Sequence, residues 1–247
     1  MKYSKKQILE FVNSSKFKNY QKITLPYGIV IDGADLHNTA DVLLPKDLKG
    51  KSVADIGCNY GYFCHEAKKR GAKEVIGIEI NKETARTARK IADIIGDGVK
   101  IEDNINNLGN KTYDIILLLN VTHHLEDPVK FIRDISKKCR SLVVEFPTPC
   151  DESFIIRDKG VKISFAKLNI IGKILYKAKL FLRRRVFGYI DNHYGIIGVG
   201  SIGYDNCFYF NKKAFDYTFL VHNKIFKKIC YKTSPRFPKR LIAFCSV

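Results

Sequence analysis

The stretch that decides the fold is VADIGCNYGYF, residues 53–63, in which an apolar run carries an acidic residue near its end and is followed by a glycine-rich turn. Gly57 and Gly61 permit a tight turn and a close approach of a ligand to the backbone. Asn59 tolerates the left-handed backbone conformation better than most residues, so it can replace a glycine between them. The stretch predicts a strand, a tight turn and the start of a helix.

Strands and helices alternate from this stretch to residue 147. Strands that alternate with helices form a parallel sheet covered on both faces, and nearly continuous apolar strands agree with that burial. Residues 50–147 are therefore predicted to form a doubly wound α/β domain. The predicted strands are SVADIG, EVIGIEI, VKIED, YDIILLLN and SLVVEFP, and the predicted helices are YFCHEAKKRG, KETARTARKIADIIG and PVKFIRDISKKC.

The flanking regions have different patterns. Residues 4–20 suit a short amphipathic helix, and residues 21–39 are predicted to be extended chain and turns. Residues 161–190 interleave apolar residues with lysines and arginines, which is typical of an amphipathic basic helix or helix pair. Residues 195–206 are glycine-rich and predict a loop, as a lid or linker. A helix, NKKAFDYTFLVHN, and two strands, FKKICYKTS and RLIAFCSV, are predicted to follow and to return the chain to the sheet.

The formal charge of +18 is concentrated in the second part of the chain. Residues 151–247 hold 19 Lys/Arg against 6 Asp/Glu, whereas residues 1–150 hold 24 against 19. A clustered positive surface attracts phosphate over about 10 Å, so RNA or an anionic membrane surface is an expected partner. Solubility alone is the alternative explanation of the charge.

Neither export nor a structural metal is expected. No apolar run approaches the length of a membrane span, and MKYSKKQILEF lacks the apolar segment of a secretory signal. A cytoplasmic location is therefore expected, with peripheral attachment to a membrane as an alternative. The seven cysteines are scattered and contain no CxxC pair, so we expect reduced thiols and neither disulfides nor a zinc site.

Acidic residues at two strand ends indicate the ligand. Ligands of such sheets bind beyond the carboxyl ends of the strands. A carboxylate at Asp55 would repel a pyrophosphate and attract a cation, which disfavours a dinucleotide. Glu79 follows Gly57 by about 20 residues, the spacing at which an acidic side chain takes a ribose diol. With the polar group at 103–105 available for a base edge, the combination suggests S-adenosylmethionine.

These motifs make residues 50–147 similar to the class I S-adenosylmethionine-dependent methyltransferases. Their first motif is commonly an acidic residue followed by G-x-G-x-G, and VADIGCNYGYF matches it except that Asn59 occupies the middle glycine position. The resemblance implies a Rossmann-like, mostly parallel seven-stranded sheet with a helical, basic insertion before the last strands. It also implies methyl transfer with S-adenosyl-L-methionine as cofactor.

The resemblance also implies roles for single residues around the methionine part of the cofactor. Gly57, Cys58 and Gly61 would line it, together with the intervening turn. Asp55 would act on its ammonium group directly or through water. Asn120, at the end of the fourth core strand, would face the same part.

The nucleoside part has its own set of implied contacts. Glu79 would take the ribose hydroxyls, and Ile80 would pack on adenine. Asp103 or Asn104, with the backbone of Ile105, would meet the adenine edge. The family often has Asp where Asn104 aligns.

The stretch NVTHHLEDP, residues 120–128, follows the fourth core strand, where the methyl group would be presented to an acceptor. His123 or His124 could remove a proton from a hydroxyl acceptor, because imidazole titrates near neutral pH. Either histidine could instead be structural, since methyl transfer from a sulfonium needs little beyond alignment. Adjacent positions on a turn point apart, so no metal site is predicted here.

A second, shorter resemblance concerns YQKITLPYGIVIDGADLH. Its order Q-x-I-x-L-P-x-G with a later glycine is similar to the segment that precedes the core in the tRNA wobble-uridine carboxymethyltransferases. The similarity favours an RNA acceptor without assigning a carboxymethyl reaction. A lid segment common to many methyltransferases is the alternative.

Four segments are expected: an N-terminal helix and lid segment, the cofactor-binding core, a basic substrate-side insertion, and a final helix with strands. Three functions stay open: a methyltransferase of RNA (tRNA-like), a methyltransferase of a small, lipid-like or glycan-linked acceptor at a membrane surface, and a non-catalytic binding subunit. The sequence does not report an oligomeric state. The segments are 1–49, 50–150, 151–210 and 211–247.

Overall fold

A computed structural model describes most of the chain, with side chains described outside residues 149–209. The chain divides into two compact units. The first is Met1–Leu119 with Lys137–Val143, and the second is Asn120–Ser136 with Val144–Val247. The described residues are 2–15, 17, 20–148, 156–158, 161–163, 197–202, 205–238 and 240–247.

The first unit opens with the predicted helix, α1 at Lys5–Ser14. The Ser4 hydroxyl accepts from the Gln7 backbone N–H at 3.3 Å, and the Gln7 side chain accepts from the Ser4 N–H at 2.9 Å. This capping box satisfies donors that the first helical turn leaves open. A short antiparallel hairpin follows, made of β1 (Ile23–Thr24) and β2 (Val30–Ile31).

A second helix, α2 at His37–Leu43, lies where only extended chain and turns were predicted up to residue 39. The prediction was wrong because its turn signals, Pro26, Gly28 and Gly33, all lie before this helix. Its buried side chains nevertheless recur at helical spacing, and the Asp35 carboxylate accepts from the His37 N–H at 2.9 Å at the helix start.

The core from residue 52 to 147 has the predicted alternation of five strands with three helices. The strands are β3 (Ser52–Ile56), β4 (Glu74–Ile78), β5 (Lys100–Glu102), β6 (Tyr113–Leu119) and β7 (Cys139–Pro147). The helices are α3 (Tyr62–Lys69), α4 (Lys82–Ile95) and α5 (Pro128–Ser136). Each predicted element is confirmed, with bounds shifted by a few residues.

The described part of the insertion consists of strands. The first hairpin pairs β8 (Ile156–Asp158) with β9 (Val161–Ile163), so the predicted helix does not begin at residue 161. The remainder of the predicted basic helix, residues 164–190, lies outside the described residues.

The second hairpin pairs β10 (Ile197–Ile202) with β11 (Asp205–Phe210). The prediction of a loop over 195–206 was therefore wrong. Glycines suggested turns, but IGVGSI also alternates with the two-residue period of a strand. In the register, Gly198 lies opposite Tyr209, and Gly200 lies opposite Cys207.

The chain ends as predicted, with helix and two strands. The helix α6 (Lys212–Asp216) continues into a π-helical turn at Tyr217–His222. Strands β12 (Lys228–Thr233) and β13 (Arg240–Ser246) pair antiparallel. In the second unit Phe146 stacks on Phe215 with ring centroids 4.7 Å apart, which forms part of a buried aromatic cluster.

The seven-stranded sheet has the order β12-β13-β7-β6-β3-β4-β5. Strand β3 is parallel to both β4 and β6, and β4 is parallel to β5. The strand order reverses at β3, because β4 and β5 extend the sheet to one side and β6 to the other. In open α/β sheets the ligand crevice forms outside the carboxyl ends at such a point. Strand β3 ends in the stretch that decides the fold.

The N-terminal helix and hairpin pack on this region within the first unit. Their buried apolar side chains contact one face of α4 and Tyr60, which lies in the turn after β3. The N-terminal segment is therefore part of the first unit's core. The cluster comprises Ile8, Ile23, Leu25, Ile29, Ile31, Tyr60, Ile91 and Ile94.

Candidate cofactor site

The turn after β3, residues 57–62, is called the glycine loop below. Three of its residues have left-handed backbone: Gly57 at φ 78°, Asn59 at φ 53° and Gly61 at φ 86°. Glycine adopts this conformation without steric cost, and asparagine is among the residues that tolerate it best. The prediction that Asn59 takes the place of a glycine is thus confirmed for the backbone.

Backbone carbonyls accept half of the loop's N–H groups. The N–H groups of Gly57 and Cys58 both donate to the Ile78 carbonyl, at 2.7 and 3.1 Å. Gly61 N–H donates to the Cys58 carbonyl at 2.9 Å. These bonds connect the loop to the end of β4 and close its turn.

Side-chain oxygens accept from the other three N–H groups of the glycine loop. The Glu79 carboxylate accepts from Asn59 N–H at 3.0 Å. The Gln21 side-chain oxygen accepts from the N–H groups of Tyr60 and Tyr62, at 3.1 and 3.3 Å. All six N–H groups of the glycine loop therefore have acceptors within the protein. A phosphate cradle requires such donors to point at the ligand, so this loop suits a ligand other than a dinucleotide.

Asp55 lies beneath the loop and is 1% exposed. Burial, and secondarily the charge of Glu79, raise the pKa of this carboxyl group to about 7, while the Cys64 thiol opposes the shift. The Cys64 sulfur lies 3.9 Å from the carboxylate. A buried carboxylate with a raised pKa gains stability from a nearby cation, since the opposite charge favours its ionised form.

Glu79 and Ile80 follow the second core strand, β4, and have contrasting surroundings. The two carboxylate oxygens of Glu79 accept from Asn59 N–H at 3.0 Å and from Asn81 N–H at 2.9 Å. These bonds fix the carboxylate and leave lone pairs for hydroxyl donors. Ile80 is 78% exposed, the largest exposed fraction among the described large apolar side chains. An apolar surface of this kind can pack on the flat face of a base.

The residues after β5 form a polar turn. Asp103 pairs with Arg89 at 3.0 Å, and this partner lowers the pKa of its carboxyl group. The Asn104 side-chain oxygen accepts from Asn106 N–H at 2.9 Å and so caps a 3₁₀ turn that begins at Ile105. Both side chains have partners in the protein, and the choice between them for the adenine edge stays a prediction.

The remaining predicted residues belong to the second unit. Asn120 has a left-handed backbone at φ 59°, and its side-chain oxygen accepts from Arg240. His123 is buried at 5% exposure, whereas His124 is exposed, and their ring centroids are 4.0 Å apart. The two histidines are therefore not equivalent, which the sequence did not reveal.

Two residues were missed by sequence reasoning. Gln21 was used only as a point of likeness within Q-x-I-x-L-P-x-G, yet it binds the glycine loop. Arg240 is 6% exposed and holds Asn120, and no local pattern singled it out. Both make contacts that span long separations in the chain.

Among the described residues, no three or more His, Cys, Asp or Glu side chains are grouped to hold a metal ion. Among their helices, none combines the length and apolar composition needed to cross a membrane.

Comparison with known proteins agrees with this geometry. The family described as methyltransferase domain matches residues 34–182, more than half of the chain. A tRNA U34 carboxymethyltransferase of Campylobacter hominis is 33% identical over 133 residues, covering 51% of this chain and 45% of the relative. A ubiquinone biosynthesis O-methyltransferase of Neisseria meningitidis is 30% identical over 103 residues, covering 39% and 41%. The chain thus spans less than half the length of these relatives.

Solved structures are similar in fold. The N-terminal domain of EvdMO1 with SAH bound has a TM-score of 0.63 at 10% identity, covering 98% of this chain and 96% of that one. An S-adenosylmethionine-dependent methyltransferase from Mesorhizobium loti has a TM-score of 0.53 at 14% identity, covering 87% and 99%. The family match, together with a seven-stranded sheet of this order, places the chain in the class I S-adenosylmethionine-dependent methyltransferases, whose cofactor is S-adenosylmethionine.

Proposed function

We propose that the protein transfers the methyl group of S-adenosylmethionine to an RNA acceptor. The observation that carries the choice of acceptor is the positive charge of the second part of the chain. Residues 211–247 alone hold nine Lys/Arg and one acidic residue, Asp216. The Asp216 carboxylate accepts from the Tyr231 hydroxyl at 2.7 Å, so it has a partner inside the protein.

The positive charge includes an ordered strand face. Strand β12 lies at the edge of the sheet, and Lys228 and Lys232 are exposed on one of its faces with Cys230 between them. Side chains two residues apart point to the same side of a strand. Neutralising phosphates with such lysines releases counterions, which supplies most of the sequence-independent affinity for nucleic acid.

The names of relatives support the same acceptor class. The matched relative from Campylobacter hominis is called a tRNA U34 carboxymethyltransferase. The N-terminal Q-x-I-x-L-P-x-G segment resembles that group as well. We propose a tRNA-like RNA as acceptor and assign no carboxymethyl reaction.

We further propose roles for the residues of the candidate site. The bound cofactor supplies an electrophilic methyl group on a sulfonium. Asp55 stabilises the ammonium end, Glu79 accepts from the ribose hydroxyls, and Ile80 covers adenine. The backbone of the glycine loop, which includes Gly57 and Cys58, forms the wall beside the methionine part.

Acid–base help, where an acceptor needs it, is assigned to His124. This imidazole is exposed, so an acceptor can reach it, whereas buried His123 supports the turn. Selection of the acceptor is assigned to residues 151–210 within the four-segment division.

A lipid-like acceptor is the second candidate. It is favoured by relatives called ubiquinone biosynthesis O-methyltransferases and by the amphipathic basic pattern of residues 161–190. Flotation with anionic vesicles would separate this candidate from RNA. Vesicle binding without RNA binding would favour it.

The deciding experiment measures binding of fractionated tRNA over a salt series, followed by transfer of labelled methyl groups. We expect log affinity to fall steeply and linearly with log salt, with a slope of about −0.7 to −0.9 for each phosphate contacted. The double substitution Lys228→Glu/Lys232→Glu should weaken binding and reduce the slope by about 1 to 2.

The matched control is Lys46→Glu/Lys49→Glu, which makes the same change in net charge at exposed positions of the first unit. It should retain most of the affinity. A flat salt dependence, or equal losses in the two double variants, would argue against a specific RNA surface. Label appearing only in lipid or metabolite pools would exclude RNA as acceptor.

A further inference from the structure

We propose that Gln21 is a positioning residue for cofactor binding, so that the N-terminal hairpin is a structural part of the cofactor site. The proposal rests on the assigned role of the glycine loop as the wall of that site. It extends the site by a residue of the N-terminal segment, which precedes the first core strand, β3.

The side chain of Gln21 makes three hydrogen bonds to the loop. Its oxygen accepts from Tyr60 N–H at 3.1 Å and from Tyr62 N–H at 3.3 Å, and its amide nitrogen donates to the Cys58 carbonyl at 3.3 Å. The side chain is 3% exposed. One buried amide therefore spans the loop from Cys58 to the first residue of α3.

The backbone of Gln21 is held just as closely. A β-carbon added to Gly33 would lie 2.5 to 2.8 Å from backbone atoms of Gln21, a distance that real side chains do not adopt. The Lys22 N–H donates to the Ala34 carbonyl at 3.0 Å, which closes the hairpin around this contact. The absence of a side chain at Gly33 thus lets the two strands approach and fixes where the Gln21 amide points.

Apolar packing holds the other side of the loop. The ring of Tyr60 contacts the Phe17 ring edge to face, with centroids 5.6 Å apart, and joins the cluster formed by the N-terminal helix and hairpin. The polar bonds of Gln21 and the packing of Tyr60 therefore act on the same residues. A loop held from both sides is preorganised, and preorganisation raises affinity because less ordering is needed on binding.

Removing the Gln21 amide should loosen the loop locally. Tyr60 N–H also lies 2.9 Å from the Asn59 side-chain oxygen, so it keeps one acceptor. Tyr62 N–H would lose the Gln21 oxygen, its acceptor at 3.3 Å, at the start of α3. The effect should therefore be concentrated at Tyr62 and at the Cys58 carbonyl, which line the proposed methionine side.

The test compares Gln21→Met with Gln7→Met in the full chain. The Gln7 side chain also bonds to backbone, but its partner is the N–H of Ser4 in the cap of α1 and not the glycine loop. Calorimetry with S-adenosylhomocysteine should show a dissociation constant at least tenfold higher for Gln21→Met and unchanged for Gln7→Met. Both variants should unfold at somewhat lower denaturant concentration.

Amide hydrogen exchange without ligand gives an independent readout. Gln21→Met should speed exchange at Tyr62 selectively, whereas Gln7→Met should speed exchange in α1. If Gln21→Met does not fold, Gln21→Glu keeps an oxygen acceptor for the two N–H groups and should retain slow exchange with weaker binding.

Unchanged affinity in a folded Gln21 variant, or equal loss in the Gln7 variant, would overturn the proposal. Unaltered protection at Tyr62 in Gln21→Met would do the same. Failure of the wild-type protein to bind S-adenosylhomocysteine would count against the proposed function instead, and the exchange result would still decide whether Gln21 holds the glycine loop.

Discussion

Replacing Asp55 by asparagine should stabilise the free protein while removing cofactor binding. The carboxyl group is buried, and its pKa is raised from 3.8 to about 7. A raised pKa means that the native state holds the proton more tightly than the unfolded chain. The stabilising effect of protonation is therefore complete below the unfolded pKa, and it is lost as pH rises through the folded pKa near 7.

The magnitude follows from the separation of the two pKa values. About three pH units correspond to an upper estimate of about 4 kcal/mol of unfolding free energy, fully expressed above about pH 8. At about pH 5.5 burial of this carboxyl group lowers the unfolding free energy by only about 2 kcal/mol, because the native carboxyl group is still mostly protonated there. Asp55→Asn removes the charge with little change of shape. The unfolding free energy of the variant minus that of the wild type should therefore be about 2 kcal/mol larger at about pH 8.5 than at about pH 5.5.

Urea unfolding of both proteins at the two pH values measures this difference. Asp114→Asn is a suitable control, because backbone and side-chain hydrogen bonds from Ser52 lower the pKa of that carboxyl group. Its stabilising effect is already complete above pH 5, so Asp114→Asn should destabilise by about 1 kcal/mol at both pH values. An Asp55→Asn advantage that is absent, or that does not change with pH, would refute the reasoning about burial.

Cofactor affinity of the wild type should depend on pH in the opposite direction to its stability, increasing as pH rises. If the ionised carboxylate is the form that binds the ammonium group, the apparent dissociation constant of the wild type should rise by about 20-fold from about pH 7.5 to about pH 5.5. Asp55→Asn should bind weakly at both. Tight, pH-independent binding by the variant would show that Asp55 has no role in holding the cofactor.

Two further predictions use paired variants. Ile80→Ala should raise the dissociation constant of S-adenosylhomocysteine by about 3- to 10-fold. It should change the unfolding free energy by less than about 0.5 kcal/mol, since the side chain is exposed without ligand. Val30→Ala is the exposed control, and equal affinities of the two variants in calorimetry would contradict the role assigned to Ile80. Gly33→Ala should destabilise by about 3 kcal/mol or more because its β-carbon would overlap the Gln21 backbone, whereas Gly28→Ala, with a left-handed backbone and open space, should cost about 1 kcal/mol in the same denaturation assay.

The sequence was sufficient for elements whose signals are local. The strand and helix periods between residues 52 and 147 predicted every core element, because the period of apolar residues reports which face is buried. Prediction from the sequence failed where the composition of a segment and the period of its apolar residues disagreed. The proline and glycines before it concealed α2, and glycines concealed the period of β10.

The candidate cofactor site divides in the same way. Asp55, the loop glycines and Glu79 were predicted from their order along the chain, since each lies at or just after a strand end in the sheet. Their surroundings were not: burial beneath the loop sets the pKa of Asp55 to about 7, and burial depends on packing from all sides.

By itself, the sequence determined the strand–turn–helix pattern and the left-handed turn at Gly57, because apolar period and backbone freedom are properties of neighbouring residues. Tertiary structure alone decided that Gln21 holds the glycine loop and that Arg240 holds Asn120, across separations of 39 and 120 residues. Only tertiary structure buries His123 and leaves its neighbour exposed. Such contacts form when distant segments pack together, and no local pattern carries that information.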